Sequence, residues 1–305
     1  MSTGIRWSIA LVLSSWVTAA GAAALVTAPQ GGVARWSGMD AESCGVYGKR
    51  YPAVAGDCYY PVDIKTPPGA HEIALWDTEG KRSIGTLAVE RRDFPDVEIE
   101  LPPRLYQYVD VSPEDAKRAA QETAEVQKVL KGANDPPRFT LPLGKPSAHL
   151  PKSENDFGST RLFNGKTRSL HSGRDFPVGR QNPVRAVAEG TVVLVADHFY
   201  TGNAVYIDHG GGLVSMYFHL DTTTVHEGDQ VKRGERIGKV GATGRATGPH
   251  LHVGLRWQNK RIDPLPLFDP PSKLPSVSDT SAEAEAKIKR AQAKEPEEVD
   301  QPPED

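Results

Sequence analysis

Ala204-Val205-Tyr206-Ile207-Asp208-His209-Gly210-Gly211-Gly212-Leu213-Val214-Ser215-Met216-Tyr217-Phe218-His219-Leu220 carries the clearest architectural signal in the chain. Two runs of β-branched and aromatic residues flank three consecutive glycines. Glycine reaches positive φ without steric cost, so the triplet reads as the connection of a β-hairpin. A third run, Gly190-Thr191-Val192-Val193-Leu194-Val195, lies just upstream and opens on another glycine. Working outward, strand-like runs punctuated by glycine continue over residues 138–270, which predicts an antiparallel β-domain with almost no helix.

Upstream of that domain the pattern changes once. Ser112 is a good N-cap, Pro113 suits the first helical position and Asp115 falls in the first turn. Ala116 to Lys131 is rich in Ala, Glu, Gln and Lys, and Gly132 can stop the run. Residues 111–137 therefore read as a helical connector, broken at Asp135-Pro136-Pro137. Before it, residues 29–110 carry short apolar runs between Pro and Gly turns, such as Glu72-Ile73-Ala74-Leu75-Trp76. Val97-Glu98-Ile99-Glu100-Leu101 alternates with period two, as a half-buried strand should. This segment reads as a small β-rich domain, so the predicted fold class is mainly β throughout.

The first 28 residues fix the expected compartment. Arg6 precedes an apolar stretch from Trp7 to Val17, followed by small residues from Thr18 to Ala24. That order is the pattern of a secretory signal, with small-x-small sites at Val17-Thr18-Ala19 and Ala20-Gly21-Ala22. An uncleaved inner-membrane anchor is the other reading, since no further charge occurs before Arg35. Either way the expectation is an exported protein, periplasmic or extracellular in the cell envelope. Cys44 and Cys58 are the only cysteines, and in an oxidising compartment they read as one disulfide. Residues 271–305 are rich in Pro, Ala and charge and read as a disordered tail. The net charge is −3, so no basic field recruits nucleic acid, and no nucleic-acid partner is expected.

Five of the nine histidines fall between His209 and His252. Three places have useful spacing: His171-Ser172-Gly173-Arg174-Asp175, Tyr217-Phe218-His219-Leu220, and His250-Leu251-His252. Residues two apart on a strand share a face, so His250, His252 and Gly254 face one way and Leu251, Val253 and Leu255 the other. The same parity pairs His219 with Tyr217 and sends Met216, Phe218 and Leu220 inside. Gly173 reads as flexible backbone that lets His171 meet Asp175. Imidazoles with a carboxylate suit zinc, and a catalytic zinc takes three protein ligands and leaves one position open. Two such histidines would remain for proton transfer and charge stabilisation. The isolated His71, His149, His198 and His226 have no partner at ligand spacing, and His209 reads as a turn residue beside Asp208.

The strings themselves go further. His171-Ser-Gly-Arg-Asp175, Tyr217-Phe-His219-Leu220 and Gly248-Pro-His250-Leu-His252 resemble the three signatures of the LytM/lysostaphin-type, or M23, zinc metallopeptidases. Phe157-Gly158, Asn164-Gly165, Ala188-Glu-Gly190-Thr-Val and Gly238-Lys-Val-Gly241-Ala-Thr-Gly244 read as that domain should, over about residues 155–268. The resemblance implies a β-rich duplicated hybrid motif and one Zn2+ per chain. It implies His171, Asp175 and His252 as metal ligands, with His219 and His250 as the catalytic, non-ligand histidines. It implies peptidoglycan peptides, cross-links or stems, as the substrate, and names no protein partner.

Three rivals stand beside this expectation. Some relatives have lost ligands and act as silent activators of other wall hydrolases, yet no position of the pattern is missing here. The turns of Val225–Gly238 are similar to those of lipoyl and biotinyl carrier domains, but Lys232 and Lys239 lack an attachment motif. A structural zinc site would need a fourth protein ligand, usually cysteine, and neither cysteine lies in this region.

Overall fold

The computed structural model describes residues 24–132, 135–153 and 156–277. Short apolar runs between turns form seven strands in the first half: β1 (Ala24–Pro29), β2 (Val33–Trp36), β3 (Ala41–Val46), β4 (Lys49–Pro52), β5 (Cys58–Pro61), β6 (Gly69–Asp77) and β7 (Arg82–Glu90). A five-stranded sheet runs in the order β1-β7-β6-β3-β4, and β2 pairs with β5. Trp36, Val46, Tyr60, Ile73, Leu75 and Leu87 make its core. Cys44 and Cys58 lie in that core, bridged, with Cα atoms 5.4 Å apart. The leader reading falls mostly on residues outside those described. Ala24–Pro29 is a strand paired in parallel with β7, and Leu25, Val26 and Ala28 are buried. The apolar residues that resemble the end of a leader here fill a sheet edge.

β8 (Asp96–Ile99) pairs in parallel with β9 (Thr160–Phe163), which pairs with β10 (Thr167–Leu170). Leu101, Leu105, Tyr108 and Val109 pack against Phe163 and Phe199. Residues 96–111 are therefore built onto the second half. The half-buried strand expected at Val97–Leu101 ends at Ile99, and Val97 is 37% exposed. Apolar contact comes instead from Leu101 and the 3-10 turn Pro103–Tyr108 behind it.

α1 (Pro113–Gly132) forms where its cap predicts. The Asp115 amide donates to Ser112 Oγ at 3.0 Å, and that hydroxyl donates to the Asp115 carboxylate at 2.9 Å. The helix does more than connect. Val126, Val129 and Leu130 pack onto Leu194, Tyr206, Val214 and Met216. Glu122 accepts the Phe199 amide at 2.8 Å, and Arg118 donates to the Asp197 carbonyl at 2.7 Å. Burying that stripe, rather than intrinsic propensity, is what fixes a helix of this length in place.

The second half completes a nine-stranded antiparallel sheet. Its strands are β11 (Gly173–Phe176), β12 (Pro183–Arg185), β13 (Gly190–His198), β14 (Gly202–Asp208), β15 (Leu213–Thr223), β16 (Gln230–Val231), β17 (Arg236–Val240), β18 (Leu251–Trp257) and β19 (Lys260–Ile262). The main path is β11-β18-β15-β14-β13-β16, with β17 joining β12 to β15 and β19 pairing β18. The Gly210–Gly212 connection between β14 and β15 carries φ of +69°, +56° and +71°. A Cβ at Gly210 would strike the Pro136 carbonyl, so only glycine fits beneath the chain that follows α1. Leu213, Tyr217, Leu220, Leu251, Val253 and Leu255 fill the main core, joined by Val33, Val54 and Tyr59 from the first half. The expected disordered tail begins later than residue 271. Leu274 is buried in this core, and Ser276 bridges Arg35 of β2. Residues 278–305 lie outside those described.

Candidate active site

His171 immediately precedes β11, and Asp175 sits within it. Extended chain puts residues 171, 173 and 175 on one face, so no flexibility is needed for the pair to meet. β11 lies antiparallel to β18 with Asp175 opposite His252 and Gly173 opposite Gly254. This corrects the role read for Gly173. Its φ is not positive, and a Cβ there would collide with the His252 Nε2 and lie 2.7 Å from the Val253 carbonyl oxygen. Glycine leaves room for an imidazole.

His171 Nε2 lies 3.2 Å from Asp175 Oδ1 and 3.1 Å from His252 Nδ1, and the latter two are 2.8 Å apart. His171 Nδ1 donates to the Asp156 carbonyl at 2.9 Å, which leaves the Nε2 lone pair facing the other two donors. Four ligands at ~2.0–2.1 Å around tetrahedral zinc stand about 3.4 Å apart, so this set fits such an ion with a small outward movement. Among the described residues this is the group of His, Cys, Asp and Glu able to hold a metal. Burial alone would raise the Asp175 carboxyl, but contact with His171 and His252 holds it well below the usual carboxylate range. Burial pushes His252 down to about 4, so its lone pair is available for a metal at neutral pH.

His219 and His250 reach the same place by different routes. His250 stands just ahead of β18 and shares the face of His252; its Nδ1 donates to the Gly248 carbonyl at 2.9 Å, and its Nε2 is 3.6 Å from Asp175 Oδ1. His219 donates from Nδ1 to the Thr243 carbonyl at 2.8 Å. The two rings lie 4.8 Å apart. Burial, with His250 and His252 adding to it, pushes His219 down to about 3, so it is neutral at physiological pH. The parity expected for this strand is corrected. Tyr217 is fully buried, and its hydroxyl accepts the Val187 amide at 2.9 Å. Phe218 pairs with His252 in register and stacks on its ring at 4.9 Å and 7°. His219 has φ +61° and sits where the pairing of β15 shifts. That irregularity lets two successive residues, Phe218 and His219, face the site and returns Leu220 to the core.

The five residues line one cavity of about 670 Å³. Sequence reasoning missed four of its neighbours. Arg161 Nη2 donates to Asp175 Oδ2 at 2.7 Å and to Asp156 Oδ2 at 3.2 Å, leaving Asp175 Oδ1 toward the imidazoles. Asp156 also accepts the Asp175 amide at 3.2 Å. Arg245 stacks on Phe163 and Tyr200 at 4.0 and 4.7 Å and donates to Ser169 Oγ. Phe218 is the fourth. No spacing marks Arg161, since only the β9–β10 pairing turns it toward the site; for Phe218 the irregular strand hides the signal. The other histidines stand elsewhere. His209 is buried between the Glu189 carbonyl and Ser215 Oγ, both 2.7 Å away, His198 meets Glu125, and His71, His149 and His226 do not line the cavity.

Peptidase family M23 matches residues 169–264. The peptidoglycan DD-endopeptidase ShyB of Vibrio cholerae is 41% identical over 95 residues, which is 31% of this chain and 22% of ShyB. The DD-carboxypeptidase/endopeptidase Mpg of Neisseria meningitidis serogroup B is 39% identical over 123 residues, 40% of this chain and 28% of Mpg. The chain thus spans only about a quarter of the length of these curated relatives. A solved M23 peptidase structure from Pseudomonas aeruginosa is 30% identical with a TM-score of 0.61, covering 78% of this chain and 94% of that one. That coverage takes in far more than the segment between His171 and His252, and with it the chain belongs to peptidase family M23.

Proposed function

We propose that the chain is an exported zinc metalloendopeptidase that hydrolyses peptide cross-links or stems of bacterial peptidoglycan. The observation that carries the reading is the convergence of His171 Nε2, Asp175 Oδ1 and His252 Nδ1 within 3.2 Å, with the rings of His219 and His250 beside them. These three residues would hold one zinc ion, which would supply Lewis acidity and lower the pKa of water from ~15.7 toward ~7. Two histidines and one aspartate carry a ligand charge of minus one, which leaves the ion electrophilic. His219 and His250 each donate Nδ1–H to a backbone carbonyl, which leaves each Nε2 free of that contact. One such nitrogen accepts the proton of an attacking water, and once protonated it can hand that proton to the departing amine. The other, when protonated, stabilises negative charge developing on the carbonyl oxygen. Arg161 holds the second oxygen of Asp175, so the carboxylate stays ionised and oriented.

The substrate class rests on the names of ShyB and Mpg and on the groove itself. Arg245 and the exposed Arg168 line it alongside the histidines, and guanidinium groups suit the carboxylates of wall peptides. Purified zinc-loaded protein incubated with peptidoglycan should release new muropeptides identifiable by mass spectrometry. A protein that binds zinc and leaves both cross-links and stems intact would overturn this function and favour a silent activator.

A further inference from the structure

A second hollow, of about 540 Å³, lies between the first-half sheet, α1 and the β18–β19 hairpin. It shares no lining residue with the catalytic groove. Besides Arg261, which is paired with Asp63, three cations line it: Lys65, Arg256 and Lys260. None of the three forms an ion pair among the described residues, and the Arg256 Nε is enclosed with no hydrogen-bond partner. The one carboxylate in the lining, Asp63, is spent on Arg261, which holds both its oxygens through the guanidinium while the Arg261 amide donates to it at 2.7 Å. Lys260 lies 4.8 Å over the Tyr47 ring, which fixes its position at the rim.

A half-buried guanidinium without a counterion is costly unless something anionic answers it. Burial, with Arg261 adding to it and Asp63 only partly opposing it, pushes the Arg256 guanidinium down to about 10. Three positive charges exceed what one monocarboxylate neutralises, and the Tyr47 and Thr66 hydroxyls and the Asn259 amide add neutral donors around them. That combination suits a group with two negative charges and several acceptor oxygens. We propose that this hollow is an anion-binding site for a phosphate group, separate from the peptidase centre. Its ligand is either free phosphate or a phosphate monoester carried on a larger molecule.

The test measures inorganic phosphate and glycerol 3-phosphate binding to the full chain by isothermal titration calorimetry, with acetate as a monocarboxylate control. His171→Ala is used as the background, so that phosphate on an active-site metal does not contribute. The expected result is one saturable phosphate per chain, weakened as salt is added. Lys65→Ala/Lys260→Ala in that background should bind at least about tenfold more weakly, since two of three facing charges are gone. Both lysines are at the surface or rim, so the fold is retained, and the same pair in the otherwise unchanged enzyme should leave wall digestion as it was. Equal affinity for both phosphates makes the bare phosphate group the ligand; tighter glycerol 3-phosphate assigns the site to a monoester. Absence of saturable phosphate binding, affinity for acetate as strong as for phosphate, or unchanged affinity in the double variant would each overturn the proposal.

Discussion

Gly173→Ala separates two explanations of the same glycine. If it served only as flexible backbone, alanine would be tolerated, because its φ is not positive. The packing says otherwise. The added methyl would overlap His252 Nε2 and stand 2.7 Å from both its Cε1 and the Val253 carbonyl oxygen. Carbon needs about 3.5 Å from such atoms, so something must move by roughly 1 Å. The Val253 carbonyl belongs to a strand paired on both sides, which leaves the His252 ring to yield. Metal–ligand distances tolerate only about 0.2 Å, so the site should lose most of its zinc. Activity should fall by at least about 10²-fold, and global stability by about 1–3 kcal/mol from overpacking. Gly248→Ala is the matched control: it also lies beside the site, but a Cβ there meets nothing within 4 Å, so zinc and activity should be kept. Zinc by atomic absorption, urea unfolding and muropeptide release would be read on both variants. A Gly173→Ala protein with stoichiometric zinc and unaltered turnover would overturn this account of the glycine.

His219→Ala and His250→Ala should keep zinc while losing about 10²–10⁴ in rate, whereas His171→Ala and His252→Ala should empty the site; zinc content beside hydrolysis decides it. Arg161→Ala removes the 2.7 Å contact to Asp175 and should weaken zinc binding about 10–100-fold in a competition titration with a chelator. His209 is pushed from 6.5 to about 4 by burial, so the folded state keeps it neutral where the unfolded chain protonates. The stability it contributes is full above pH 6.5 and is lost as pH falls toward 4, by about 3 kcal/mol. His209→Gln should flatten that part of the stability–pH curve in urea titrations; an unchanged slope would count against it. Cys44→Ser/Cys58→Ser opens a short loop and should cost about 2–3 kcal/mol in the same assay with zinc content unchanged.

The features legible in the sequence are those written in local spacing. Three glycines between two apolar runs announced the hairpin, a Ser-Pro start announced α1, and the His-x-His pair fell on one strand face as period two requires. The parity of Tyr217–Leu220 was not legible, because one residue at φ +61° shifts the strand and exchanges the faces of Phe218 and Tyr217. Gly173 was read through its backbone, while its reason lies in a ring 79 residues away in the chain (252 − 173). Arg161 and Asp156 became visible only when β9, β10 and β11 came together. Pairings between distant segments leave no local mark: β8 looks like part of the first half by composition but finds its neighbour in β9.

That last pairing bears on whether the peptidase is a portable cassette. The chain crosses the seam between its halves through β8 on β9, and again where Leu274 enters the second-half core and Ser276 bridges Arg35. Closing such long loops costs only logarithmically more entropy with length, so these crossings slow assembly more than they weaken the finished fold. A fragment cut at 138 and 270 would strip α1 from Leu194, Tyr206 and Met216 and leave β9 with a raw edge. It would also remove Ile99 and Leu101, which form part of the rim of the catalytic groove. The peptidase centre therefore depends for its shape on segments that precede it in the chain, and it should be moved between proteins only together with them.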